Sequence, residues 1–68
     1  MNYWFSAMDT SGYWHLINLA NVLDFKDNGK FIIVLLQTGR EIKLNVSLEY
    51  VGQILDEFDE WQLQRNKQ

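Results

Sequence analysis

The chain has 68 residues, 47% of them hydrophobic, and a net charge of −3 at neutral pH. That length allows one domain near the lower limit for an independently stable core, and that apolar share argues against disorder. Cysteine is absent, which excludes disulfides, thiolate metal sites and thiol catalysis. No apolar run approaches a membrane span and no basic-then-apolar leader opens the chain, so a soluble cytoplasmic protein is expected.

Taken in chain order, short segments rich in β-branched and aromatic residues alternate with glycine-ended turns. A first strand is expected at about 3–8, with Tyr3, Trp4 and Phe5, and a second at about 13–18, with Tyr13 and Trp14. Asp9-Thr10-Ser11-Gly12 is the turn between them. Residues 18–21 read as a bend, followed by a strand at about 22–26, the turn Asp27-Asn28-Gly29 and a strand at about 30–36. Gln37-Thr38-Gly39 then leads into a last strand at about 40–45. Connections this short favour an antiparallel meander.

The helix has the clearest start. Ser47 is a good N-cap, Glu49 meets the positive end of the dipole, and Val46 and Val51 have the spacing of a hydrophobic staple. Leu48, Val51, Leu55 and Phe58 then recur at helical steps, with Ile54 and Trp61 widening the stripe. The pattern predicts a helix over about 48–63 and a loose tail at 64–68. The expected fold class is α+β: one domain, 1–68, with a small antiparallel β-meander of four or five strands, curled or barrel-like, and one C-terminal amphipathic helix.

The Phe31–Leu36 segment shows no alternation. Phe31, Ile33 and Leu35 point one way, and Ile32, Val34 and Leu36 the other. Such a strand must be covered on both faces. One helix covers one face; the aromatic first strand or another chain is expected on the other.

Catalytic signals are thin. His15 is the only histidine, between Trp14 and Leu16, and the neighbouring Asp9 and Ser11 are explained by their turn. No phosphate loop, HExxH or calcium-loop pattern occurs. The expectation is a non-enzymatic protein without cofactor, metal or catalytic residues. From Ser47 to Trp61 there are five acids and no base, a net −5, whereas Lys26–Lys43 holds four bases against two acids, a net +2. Asp56, Glu57, Asp59 and Glu60 form an acidic surface, read as a solvated face or an electrostatic contact. The overall negative charge works against nucleic-acid binding, although Lys26, Lys30, Arg40 and Lys43 with Phe25 and Phe31 could stack a base.

The stretches His15-Leu16-Ile17-Asn18, Val22-Leu23-Asp24-Phe25, Ile32-Ile33-Val34-Leu35, Thr38-Gly39-Arg40-Glu41-Ile42 and Ser47-Leu48-Glu49-Tyr50-Val51 carry a resemblance. They resemble small bacterial flagellar proteins of the FlbD/SwrD type, over about residues 15–58, and similar short phage and prophage proteins. The resemblance implies the strand-and-helix layout, and no enzyme or cofactor. The aromatic strand before residue 13 is an addition to that pattern.

The expected function is therefore that of a bacterial or phage accessory protein. It would bind a protein partner, or itself as a dimer or higher oligomer, through Tyr3, Trp4, Phe5, Tyr13 and Trp14 and the uncovered face of Phe31–Leu36. The alternatives are an acidic inhibitor, of an anti-defence or nucleic-acid-mimic type, that blocks a nucleic-acid-binding partner through its helix, and a small-ligand or nucleotide-binding module.

Overall fold

The computed structural model describes residues 3–66, and the side chains of 3–64. Its elements are β1 (Trp4–Met8), β2 (Trp14–Asn18), a 3-10 turn (Leu19–Asn21), β3 (Val22–Asp27), β4 (Ile32–Leu36), β5 (Glu41–Leu44) and the helix α1 (Leu48–Asn66). The α+β composition is as expected. The strands fall into two antiparallel sheets, β1–β2 and β3–β4–β5, where one meander was expected. The break comes at the 3-10 turn, where the Asn18 side chain accepts from the Ala20 amide at 3.1 Å and bends the chain before β3 begins.

The two sheets meet at one corner. Asp9 bridges to Leu44, the Asn45 amide donates to the Met8 carbonyl at 2.8 Å, and the Thr10 amide donates to the Lys43 carbonyl at 3.0 Å. The turns follow the residues that build them. Gly39 has φ +90°, a conformation that costs glycine least, and closes the β4–β5 hairpin with its amide on the Leu36 carbonyl at 2.9 Å. In the β3–β4 turn the Asp27 and Asn28 side chains accept from the amides of Gly29, Lys30 and Phe31, the side-chain mimicry of a backbone turn.

Alternation along each strand decides what is buried. Phe5, Ala7, Ile17 and Leu19 meet Ile32, Val34, Ile42 and Leu44 in a core closed by Val51 and Ile54 of α1. The N-terminal hairpin and the helix thus share the inward side of β4. The outward residues Phe31, Ile33 and Leu35 stay half-buried, so the aromatic strand does not cover them.

The helix starts as its sequence predicts, with Ser47 Oγ accepting from the Tyr50 amide at 3.1 Å. It continues through Asn66, so the expected loose tail begins no earlier than residue 67, and 67–68 lie outside the described residues. Its buried line differs from the expected stripe. Val51 and Ile54 are buried, with Phe58 packed beside them, while Leu48 is 59% and Leu55 40% exposed. The helix is turned by what it docks on. Tyr50 donates its hydroxyl to the Ser6 carbonyl at 2.7 Å, and Tyr3 packs on Phe58 and Trp61 at centroid distances of 5.4 and 5.7 Å.

Leu44→Ala should therefore cost about 3 kcal/mol and lower Tm by more than about 10 °C. Leu48→Ala should change stability by less than about 0.5 kcal/mol, as for an exposed site. Thermal melts followed by circular dichroism check both, and equal losses would contradict the observed helix rotation.

Candidate functional site

The β1–β2 hairpin sorts the N-terminal aromatics by parity. Its register pairs Trp4 with Asn18, Phe5 with Ile17, Ser6 with Leu16, Ala7 with His15 and Met8 with Trp14. Phe5, Ala7 and Ile17 point inward. Trp4, Met8, Trp14 and Leu16 share the opposite face.

Of the five aromatics expected at a binding surface, two are drawn into the fold. Phe5 is buried, its ring 6.2 Å from that of Phe25. Tyr3 is half-buried against the helix and donates its hydroxyl to Glu57 at 3.2 Å. Desolvation, then that hydrogen bond to Glu57, pushes the Tyr3 phenol above its ordinary value. The other three remain outside: Trp4 is 53%, Trp14 67% and Tyr13 71% exposed. Leu16, 68% exposed beside them, was missed by sequence reasoning. Counting alternate residues forward from the Gly12 turn would have found it, since Trp14 and Leu16 share a face of one strand.

The hairpin also has an open edge. The Leu19 amide bonds the Tyr3 carbonyl and the Asp9 amide the Tyr13 carbonyl, so odd-numbered residues exchange the β1–β2 hydrogen bonds. Antiparallel alternation then puts the peptide groups of Trp14 and Leu16 on the far edge of β2. Among the described residues no strand pairs with that edge. It carries no lysine, arginine, aspartate or glutamate, whereas β3, an edge of the other sheet, carries Asp24, Lys26 and Asp27.

His15 is held by the turn. Asp9 Oδ1 accepts from the amides of Ser11 and Tyr13, both at 2.9 Å, and Oδ2 meets His15 Nε2 at 2.7 Å. The contact to His15 and then that to the Tyr13 amide hold the Asp9 carboxyl below the usual carboxylate range. Ser11 enters this cluster through its backbone amide, so the three residues hold the β1–β2 turn closed on itself, while the Thr10 amide ties that turn to the Lys43 carbonyl of β5. They form a structural latch.

The acidic residues Asp56, Glu57, Asp59 and Glu60 are all exposed. Among the described residues no group of three or more His, Asp or Glu is placed to hold a metal ion. The expected base-stacking pair is split. Phe25 packs towards the core, whereas Phe31 lies on the outward side with Lys43 Nζ 5.6 Å from its ring centre. Among the described residues no helix is long and apolar enough to cross a membrane. Compared with known proteins, the chain matches no family model, no curated protein and no solved structure.

The Asp9 latch has a defined pH signature. A carboxyl held low in the folded state binds protons more weakly than in the unfolded chain. Its stabilisation is complete above the unfolded value near pH ~4 and is lost as pH falls through the lower folded value. Asp9→Ala should lower Tm at pH ~7, while Asp9→Asn, which keeps the amide acceptor, should lose less there and show a flatter fall in acid. Melts from neutral pH downwards test this, and an acid limb unchanged in Asp9→Asn would assign the acid sensitivity elsewhere.

Proposed function

We propose that this chain works by binding another protein through the outward face of the β1–β2 hairpin, with Trp4, Trp14 and Leu16 as anchors. The reading is carried by one observation: these three large apolar side chains share one face of a two-stranded hairpin, and each is more than half exposed. Covering them would recover roughly 1.5–3 kcal/mol per fully buried side chain. Tryptophan is also among the residues that dominate interface energies. The open β2 edge adds a second mode, since an extended partner segment can pair with the free peptide groups of Trp14 and Leu16 while its side chains contact the apolar face. Edge strands in natural proteins are commonly guarded by lysine, proline or inward charge; β2 has no lysine, proline or carboxylate, and its inward-parity His15 is taken up by Asp9.

On this reading the protein is an accessory factor without a cofactor, of bacterial or phage origin by its resemblance in layout, working in the cytoplasm. A second reading, an inhibitor of a nucleic-acid-binding protein, draws on the exposure of all four carboxylates Asp56, Glu57, Asp59 and Glu60 along the helix. The two differ in their response to salt. An apolar hairpin contact persists at high ionic strength, and a contact made by four carboxylates is screened.

The test uses Trp14→Ala and Leu16→Lys, alone and together. Both should melt within a few degrees of the parent chain, because neither residue is in the core, and both should lose the proteins that the parent chain retains from cell extract. Retention of the same proteins by the folded double variant would sink the hairpin reading. Loss on exchanging Asp56 and Asp59 for lysine would favour the acidic surface instead.

A further inference from the structure

The outward face of the β3–β4–β5 sheet carries an ordered charge pattern that the hairpin reading does not use. Its registers place Lys26 and Lys43 on either side of Ile33, and Asp24 and Glu41 on either side of Leu35. All four charged residues are exposed, and Ile33 and Leu35 are half-buried between them. Their neighbours on the inward side, Phe25, Val34 and Ile42, face the core, so the six outward residues share one surface. The face is therefore two adjacent rows, one positive around an aliphatic centre and one negative around another. Among the described residues none of these four charges enters an ion pair. The nearest compensation is Lys43 over the Phe31 ring.

We infer that this face pairs with a second copy of the chain about a two-fold axis lying between the two rows and across the strands. That axis carries each row onto the other. Lys26 of one copy then stands over Asp24 of the next, Lys43 over Glu41, and Ile33 over Leu35. One rotation satisfies four complementary charge contacts and closes the aliphatic centre. It also lays the two β4 strands nearly antiparallel, compatible with the aligned packing of facing sheets. A partner of single charge sign would repel one row, whereas a second copy matches both, and a closed two-fold contact is the commonest form of self-association. Three strands across and five residues along give a contact patch of about 15 by 17 Å. A patch of about 250 Å² on each copy is well below what a stable dimer buries, so the dimer is weak, forms at high concentration and weakens as salt rises.

The experiment is sedimentation equilibrium on the full chain and on two variants, Lys26→Glu with Lys43→Glu, and Asp24→Lys with Glu41→Lys. The parent chain should associate at low salt and dissociate at higher salt. Each variant, now of one sign across the face, should associate at least ~10-fold more weakly, as like charges brought together in an interface cost several kcal/mol. An equimolar mixture of the two variants should recover association, because the rows again match. A parent chain that stays monomeric at every concentration and salt overturns the inference. So does a variant that self-associates as the parent does, or a mixture of folded variants that fails to pair. If a double variant does not melt as a folded protein, Lys26→Glu and Asp24→Lys alone are mixed with the same expected recovery. Trp14→Ala should leave this association unchanged; if it abolishes it, self-association runs through the hairpin, and the sheet face is not the interface.

Discussion

The structure depends on the corner where β1 meets β5. Neither sheet is large enough to form a core alone, and a two-stranded hairpin is marginal in water by itself. The bridge from Asp9 to Leu44, with the bonds from Asn45 to Met8 and from Thr10 to Lys43, sets both sheets around one interior. It also fixes their parity. A slip of one residue in β1 would exchange Phe5 and Ala7 for Trp4 and Ser6 at the core. The Asp9 carboxylate reinforces the same corner from the turn side, and its placement beside His15 follows from that structural duty.

Seen from this corner, the legible and illegible parts of the sequence separate for physical reasons. Turns and caps are local, so the glycine of each hairpin and the Ser47 cap could be placed from composition. The two apolar faces of β4 were equally plain, because six consecutive large aliphatic or aromatic residues leave no other reading of a strand. The helix face was not legible. Leu48, Val51, Ile54, Leu55, Phe58 and Trp61 spread over an arc of about 140°, and periodicity alone does not rank overlapping three- and four-residue ladders. The ranking came from Tyr3 and the Ser6 carbonyl, groups more than forty residues away in the chain. The N-terminal aromatics posed the same difficulty in another form. Their number suggested a surface, but only the register of β1 on β2 shows that Phe5 goes inside while Trp4, Trp14 and Leu16 remain out.

Three surfaces of different character therefore surround one small core. The hairpin is apolar and almost uncharged, the outward face of the larger sheet is striped with both signs, and the helix is acidic. If both proposed contacts form, this division would keep them from competing. A contact through the hairpin rests on burial and is little affected by ionic strength, whereas one through the striped face rests on charge register and is. Residues needed for the core are shared by both sheets, but those that face outward are not.

The uncharged edge of β2 has a consequence for how the protein can exist unbound. An edge that admits a partner's strand admits any extended, apolar segment, including one exposed by a neighbouring chain during folding. Nothing on β2 discriminates against such an encounter except its short length. On the proposed hairpin reading, the free protein would be tolerable only while dilute, with occupancy of the hairpin as its gatekeeper. On that reading, a cell that made this chain in excess of its hairpin partner would meet the surplus as aggregate or as substrate for its proteases, and abundance, more than affinity, would set the working range.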